Sequence, residues 1–262
     1  MIIQTALITG VTSGIGWETA RLFAKEGYRV VALGRDQNQL KALKTQMAEP
    51  EKHLFFTCDL ADIHAIEPMM NQIIKECGSI DVLVNNAGQG LFKPLEAASS
   101  AEEQAILAIN LLAPMELTRK VLPAMKQNGG AVVNVSSVAG KRAFKKLTAY
   151  CASKFGLIGF SNSLRRELKF YKIPVSVSVV CPPATRTSFF KNAGYLNFEA
   201  DHPGLTLADP KRVAHEILNA VRHKKREVIV TPRAKILDKL SAIFPAFVEW
   251  LEDRMSPCHS KQ

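Results

Sequence analysis

The sequence lacks any apolar run close to the roughly 20 residues needed to cross a bilayer. Its N-terminus, MIIQTALITG, has neither the basic start nor the small-residue cleavage site of a secretory signal. No internal repeat or low-complexity linker divides the 262 residues, a length that one domain accommodates. From these absences we expect a single-domain cytoplasmic protein and not a membrane-spanning or secreted one.

Cysteine is also scarce. There are five cysteines, an odd number, and none has the C-x-x-C spacing of a zinc or redox site. We therefore expect reduced thiols, no disulfide framework and no metal site. Cys151 adjoins Tyr150 but has no histidine near it in the sequence, and we interpret it as a small buried apolar residue.

Acidic residues are outnumbered, with 24 Asp plus Glu against 34 Lys plus Arg and a formal net charge of +10. The basic residues form short clusters without interleaved aromatics or a nucleic-acid-binding motif, which argues against a nucleic-acid partner. We interpret them as a solvated basic surface. The alternative is attraction for an anionic cofactor, an acyl carrier or a membrane surface.

Short β-rich runs alternate with longer helical patterns, which predicts an α/β fold: a single doubly wound Rossmann-fold domain with a seven-stranded parallel sheet flanked by helices. The predicted strands are 3–9, 28–33, 54–58, 81–85, 131–136, 175–181 and 227–231. The predicted helices are 14–26, 37–48, 62–77, 101–127, 149–171 and 209–224. Residues 1–231 would form the nucleotide-binding domain, in which 184–208 is an irregular substrate loop.

Residues 232–262 depart from this alternation and predict an amphipathic helical extension packed on or beside the same domain. Its apolar residues recur at helical spacing: Ile236, Leu237, Leu240, Ile243, Phe244, Phe247, Val248 and Leu251. The simplest expectation is that this stripe docks on the domain or on a partner subunit. Peripheral membrane contact, or a wall for a lipid-like substrate, is the alternative.

The first predicted strand runs into T-G-V-T-S-G-I-G, residues 9–16, just before a helix. Glycines here allow a sharp turn, and the helix that follows points free N–H groups at a phosphate. The second strand ends at Gly34 and Arg35, where NAD-binding folds commonly carry an acidic residue. A guanidinium without a carboxylate suits a 2′-phosphate, so we predict NADP(H) rather than NAD(H). Asp36 lies close enough to leave NAD(H) open.

Several ordered motifs together make the chain resemble a short-chain dehydrogenase/reductase. They are T-G-x-x-x-G-x-G at 9–16, Asp59 after the third strand, N-N-A-G at 85–88, Asn110, Ser137, and Y-x-x-x-K from Tyr150 to Lys154. The resemblance extends at least to Thr187 and implies binding of a nicotinamide dinucleotide. It also implies pairing into a homodimer or homotetramer through helices around 101–127 and 149–171.

The cofactor-binding residues that we predict from the turn, from Arg35 and from the resemblance are Gly10, Thr12, Ser13, Gly14, Ile15, Gly16, Arg35, Asp59, Leu60, Asn86, Ala87, Gly88, Asn110, Tyr150, Lys154, Pro182 and Thr187. Asn85 could brace the central strands instead, and Asp59 could cap a helix. A Pro-Pro step at Pro182 replaces the Pro-Gly of the family. It is similar to that of the 3-ketosphinganine reductase branch, which handles long-chain lipids.

Tyr150 and Lys154 are spaced to share one face of a helix. A nearby ammonium lowers the pKa of a phenol, which makes it a better proton-transfer group near neutral pH. The resemblance implies that Tyr150 protonates the developing alkoxide and that Ser137 orients it. Ser136 is an alternative to Ser137. Lys154 would hold the nicotinamide ribose, and Asn110 a water that completes the proton path.

These motifs predict an NADP(H)-dependent oxidoreductase that acts on a carbonyl or a secondary alcohol. The apolar extension and the 184–208 loop favour a hydrophobic substrate: a long-chain ketone, a retinoid, a steroid or an acyl thioester. A catalytically silent nucleotide-binding sensor or scaffold is the alternative, because fold alone does not define function.

Overall fold

The computed structural model describes residues 3–202 and 206–255 and contains a parallel sheet with the strand order β3-β2-β1-β4-β5-β6-β7. The strands are β1 (Thr5–Thr9), β2 (Arg29–Gly34), β3 (Leu54–Thr57), β4 (Val82–Asn85), β5 (Gly130–Val135), β6 (Val175–Cys181) and β7 (Glu227–Ile229). The predicted seven-stranded α/β fold is confirmed, and most strand ends lie within one or two residues of the predicted bounds.

Helices connect the strands and cover both faces of the sheet. They are α1 (Gly14–Lys25), α2 (Gln37–Thr45), α3 (Ile66–Cys77), α4 (Ser100–Leu107), α5 (Ala113–Asn128), α6 (Thr148–Phe170), α7 (Phe189–Asn192), α8 (Phe198–Asp201), α9 (Pro210–Arg222), α10 (Pro232–Ile243) and α11 (Pro245–Met255). Successive residues of a strand point to opposite faces, so Ala6 and Ile8 join one apolar core while Leu7 joins the other. Double-sided burial explains why the strands read as nearly continuous apolar runs.

The strand order reverses direction at β1, which pairs with β2 on one side and β4 on the other. In an open parallel sheet, ligands bind beyond the carboxyl ends of the strands at such a reversal. Helix α6 is held against this region by a buried hydrogen bond, because Asn134 on β5 donates to the Ser161 hydroxyl at 2.8 Å.

The predicted helix 101–127 is interrupted by a π-helical turn, Ala108–Leu112, between α4 and α5. Pro114 explains part of this break, since it has no N–H to donate to the Asn110 carbonyl four residues earlier. The break therefore alters the backbone at one of the predicted catalytic residues. Such π turns often occur at functional sites.

The predicted C-terminal helix is two helices, α10 and α11, separated at Phe244. Pro245 disfavours a helical conformation in the residue before it, and Phe244 has φ −127° and ψ 63°. Helix α10 contacts the domain through Ala234, which packs with Val179 and Cys181 of β6, and through an ion pair of Asp238 with Lys141 at 3.8 Å. Val248 of α11 is buried. Residues 256–262 of the predicted extension lie outside the described residues.

The four described cysteines are free thiols, and Cys258 lies outside the described residues. Between residues 3 and 255, leaving out 203–205, no group of His, Cys, Asp and Glu could hold a metal ion. Of the helices described above, none combines the length and hydropathy that a membrane span requires.

Candidate active site

A cavity of about 1550 Å³ lies along the carboxyl edge of the sheet. Small-molecule sites usually measure about 300–1,000 Å³, so this one has room for a dinucleotide and an extended substrate together. Predicted site residues that line it are Gly10, Thr12, Ser13, Gly14, Ile15, Gly16, Arg35, Leu60, Asn86, Ala87, Gly88, Ser137, Tyr150, Lys154, Pro182 and Thr187. Asp59 and Asn110 are not among its lining residues.

The turn before α1 forms a backbone cradle at one end of the cavity. Gly10 has φ +70° and Gly14 has φ +56°, a region in which side chains with a Cβ are strained. A Cβ on Gly16 would lie 2.1 Å from the Gly10 carbonyl oxygen, so the helix can start this close to the strand only with glycine. Among the described residues, no side chain caps α1, although Ser13 occupies the capping position. The first-turn N–H groups are thus available to a phosphate, and the cradle fits the pyrophosphate of a dinucleotide.

Arg35 lies where β2 ends, and its side chain is 54% exposed at the cavity edge. When the Gln89 amide is oriented to satisfy both its groups, its oxygen accepts from Nη2 and Nη1 of Arg35 at 2.6 and 2.9 Å. The Asp36 carboxylate instead caps α2 by accepting from the backbone N–H of Asn38 and Gln39. Asp36 is therefore engaged as a cap, and it is not among the residues that line the cavity.

Asp59 was predicted to lie beside an adenine. Its Oδ1 accepts from the backbone N–H of Ala61 at 3.0 Å and lies 4.0 Å from the Arg35 guanidinium. The carboxylate braces its own turn and caps no helix, since Asp62 is the residue that caps the short helix after β3. The neighbouring Leu60 lines the cavity.

Asn85 and Asn86 stabilise the strand ends around the cradle. Asn85 donates to the Asn134 side-chain oxygen at 2.8 Å across β4 and β5, which is the bracing alternative. Asn86 donates to the carbonyl oxygens of Thr9 and Gly10 at 2.9 and 3.2 Å, so its side chain holds the turn while the residue lines the cavity.

Tyr150, Ser137 and Lys154 meet where β5 ends against α6. The side chains of Ser137 and Tyr150 line the same part of the cavity, where Ser137 acts on the pKa of the phenol, and the Lys154 Nζ atom lies 5.8 Å from the centre of the tyrosine ring. Lys154 donates to the Val135 carbonyl oxygen at 3.0 Å. Both Tyr150 and Lys154 are buried, at 7% and 4% exposure. The alternative Ser136 donates to the Lys154 backbone carbonyl at 3.1 Å, which leaves Ser137 as the serine that meets the phenol.

Burial dominates the acidity of this pair. It raises the pKa of Tyr150 to about 12, against the opposing effect of the hydrogen bond from Ser137. It lowers the pKa of Lys154 to about 8. In the protein chain alone the pKa of Tyr150 is therefore raised and not lowered as expected, because burial of the phenolate outweighs the opposing effect of Ser137. The phenol therefore carries its proton at neutral pH.

Asn110 lies behind the cavity wall in the π turn and is fully buried. Its Oδ1 accepts from the Gln89 N–H at 2.9 Å, while its Nδ2 donates to the Gln89 carbonyl at 2.8 Å and to the Ser153 hydroxyl at 3.0 Å. Both hydrogens of the Asn110 side-chain amide are used. The Asn110 backbone carbonyl, to which Pro114 has no N–H to donate, is therefore the better group of this residue for binding a water.

Gln89 was not predicted, although it directly follows the N-N-A-G run that was. It links the Arg35 end of the cavity with Asn110. Phe189 was also missed: its ring centre lies 5.2 Å from that of Tyr150. Sequence reasoning treated 184–208 as irregular, whereas its described part contains α7 and α8. The rings of Phe190 on α7 and Phe198 on α8 stack, with their centres 3.5 Å apart.

The fold and these residues define a nucleotide-binding oxidoreductase, and comparison with known proteins identifies the family. The family described as short chain dehydrogenase matches residues 4–195, and the chain belongs to it. The chain is 36% identical to the ketoacyl reductase HetN of Nostoc sp., over 90% of this chain and 82% of that protein. It is 34% identical to dehydrogenase/reductase SDR family member 7B of Bos taurus, over 86% of this chain and 72% of that protein.

Solved structures agree. A short-chain dehydrogenase from Streptomyces avermitilis superposes with a TM-score of 0.80 at 25% identity, covering 96% of this chain and 97% of that one. A metagenomic short-chain oxidoreductase in complex with NADP has a TM-score of 0.73 at 34% identity, covering 87% and 96%. The protein is an NAD(P)-dependent oxidoreductase of the short-chain dehydrogenase/reductase family.

Proposed function

We propose that the protein is an NADP(H)-dependent carbonyl reductase or alcohol dehydrogenase for a hydrophobic substrate, with Tyr150 as the acid and base. The observation that carries this is the buried contact of Tyr150 with Ser137 beside Lys154, at the edge of a cavity that also contains the phosphate cradle. A catalytically silent protein has no chemical need for these groups in one place.

In reduction, bound NADPH would supply a hydride to the carbonyl carbon. Tyr150 is protonated at neutral pH and can donate its proton to the alkoxide that forms. Ser137 orients that oxygen by a hydrogen bond, which stabilises the developing charge. Proton supply then runs from solvent through a water at the Asn110 carbonyl to Lys154 and Tyr150.

Lys154 supports nicotinamide binding through its hydrogen bonds. An ammonium has three hydrogens, and among the described residues only the Val135 carbonyl accepts one. Ribose hydroxyls are suitable acceptors for the others. Gly88 leaves the space for them, since a Cβ there would lie 3.4 Å from Nζ and 3.0 Å from the Asn110 oxygen.

Preference for NADP(H) is supported by Arg35, which lines the cavity, while Asp36 is engaged as a cap. The complex of a related oxidoreductase with NADP agrees with this assignment. Arg35 would bind a 2′-phosphate through charge-assisted hydrogen bonds in place of its contacts with Gln89.

The hydrophobic substrate is supported by the far half of the cavity. Its wall includes apolar side chains from the loop after β5, from α7 and α8, and from the C-terminal helices: Phe144, Leu147, Phe189, Phe190, Phe198, Ile236, Leu237 and Leu251. Such a wall suits a long-chain ketone or acyl group. The resemblance of the Pro182 step to a long-chain lipid reductase points the same way and stays a prediction.

A homodimer or homotetramer is the assembly we expect. The exposed Leu112 and Phe155, at 44% and 45% exposure, lie on the helices that the resemblance assigns to subunit pairing.

Tyr150→Phe tests the chemistry, because it removes one hydroxyl at nearly constant shape. NADPH oxidation with a panel of ketones should fall by about a hundredfold or more in kcat, the usual contribution of a general acid. NADPH binding, followed by fluorescence, should persist. Wild-type turnover in this variant would contradict the proposed function.

A further inference from the structure

The C-terminal helices carry an apolar stripe that the domain leaves uncovered. On α10, Ile236, Leu240 and Ile243 share one helical face and are 60%, 37% and 68% exposed. The stripe continues over the break as Phe244, Phe247 and Trp250, at 58%, 55% and 49% exposure. These six side chains present on the order of 600 Å² of apolar surface, at the top of the range for a soluble monomer.

This stripe lies at the rim of the substrate cavity. Ile236 and Leu237 of α10 and Leu251 of α11 line the cavity, while the next residues of the same helices face solvent. An apolar molecule could pass from the stripe into the cavity without crossing water. A second copy of the chain seated on the stripe would obstruct that route.

The exposed charges along α10 are mainly positive. Arg212 and Arg233 are exposed at the cavity rim, and Lys235 and Lys239 flank the stripe on α10. Across the described ranges, none of these four has an ion-pair partner. The neighbouring acid Asp238 is engaged with Lys141 at 3.8 Å. Acids are present too: Asp201 and Asp209 line the cavity. The sequence of α11 contains Glu249, Glu252, Asp253 and Arg254.

We propose that α10 and α11 dock this protein on an anionic lipid bilayer, with the rings of Phe244 and Phe247 inserted and the cavity mouth opening toward the acyl chains. A row of cations beside a bulky apolar edge suits an interface with negative headgroups and hydrocarbon. The inference rests on the proposed function, since it supplies the path by which a hydrophobic substrate enters.

Flotation of the 262-residue protein with vesicles tests the docking. Protein should float with vesicles of phosphatidylglycerol and phosphatidylcholine, and less with phosphatidylcholine alone. The double variant Phe244→Ser, Phe247→Ser should float at least about tenfold less, because each ring loses its apolar burial. Phe170→Ser, Tyr171→Ser removes two rings elsewhere that are more exposed, at 78% and 63% exposure, and should float like wild type.

Two further measurements separate the possible failures. With a long-chain ketone dissolved in the vesicles, the Phe244→Ser, Phe247→Ser variant should lose kcat/KM, whereas its reduction of a water-soluble ketone should equal that of wild type. If wild type reduces the soluble ketone but floats with neither vesicle, the docking is wrong and the proposed function stands. If wild type does not float and light scattering shows a smaller oligomeric mass for the variant than for wild type, a second copy covers the stripe. The docking is then also overturned.

Discussion

Replacing Lys154 by methionine keeps a long side chain but removes a buried ammonium, and we expect it to remove a specific pH dependence of stability. Burial lowers the pKa of Lys154 from 10.5 to about 8. Between these values the unfolded chain binds one proton more than the folded protein, so the free energy of unfolding rises with pH. The part of the free energy of unfolding that depends on Lys154 being uncharged is fully present above pH 10.5 and is lost as the pH falls through about 8.

The size of the effect follows from that difference. Between about pH 7 and about pH 9.5, Lys154 alone should raise the free energy of unfolding of wild type by about 2 kcal/mol. At about pH 7 the variant should be the more stable protein by about 2 kcal/mol. It gains about 3 kcal/mol by not burying the charge and loses about 1 kcal/mol with the hydrogen bond to Val135.

Urea unfolding followed by circular dichroism at both pH values measures this. Tyr150 and the buried cysteines titrate in both proteins, so the difference between wild type and variant isolates Lys154. Lys169→Met, which removes an exposed lysine from the same helix, is the matched control. A wild-type minus variant difference that stays constant with pH, or a variant less stable at about pH 7, would refute the reasoning.

Two other substitutions test the cofactor end of the site. Arg35→Ala should raise KM for NADPH by about tenfold or more, because charge-assisted hydrogen bonds are lost. The KM for NADH should stay nearly constant. Equal changes in both KM values would remove the basis for NADP(H) preference. Gly16→Ala should abolish nucleotide binding and destabilise the fold by about 1–3 kcal/mol, because its Cβ would lie 2.1 Å from the Gly10 oxygen. Gly159→Ala, with no atom within 4 Å of its Cβ, should instead stabilise α6 by about 0.5–1 kcal/mol in thermal unfolding. Nucleotide titration of both glycine variants completes the comparison, and unimpaired binding by Gly16→Ala would count against the cradle.

Periodicity predicted the sheet, and the resemblance to the family predicted that Ser137 acts with Tyr150 and Lys154. Strands buried on both faces leave continuous apolar runs, and a Tyr–Lys pair four residues apart shares a helix face whatever surrounds it. The fold then supplies the rest, since the carboxyl ends of β1, β4 and β5 must meet at the reversal of the sheet.

Other features depended on contacts distant in sequence. Hydrophobic periodicity does not separate an α turn from a π turn, so the break at Asn110 was not predicted even though Pro114 stood in the sequence. Hydrophobic periodicity also did not predict that the stripe around Phe244 is exposed, because an amphipathic pattern defines an apolar face without defining what covers it. The high pKa of Tyr150 reflects complete burial, which no local spacing reports.

The buried lysine links stability to cofactor binding. Its pKa of about 8 means that the charged form is held at a cost near neutral pH, with only the Val135 carbonyl as acceptor among the described residues. A ligand that presents hydroxyl groups to Nζ satisfies the remaining hydrogens, and the free energy recovered there appears as affinity. Lys154→Met should therefore weaken NADPH binding while it stabilises the protein alone. If Lys154 is buried in order to bind its ligand, Lys154→Met changes the stability of the free protein and the affinity for NADPH in opposite directions. If Lys154 is buried only to support the fold, the substitution would change both in the same direction.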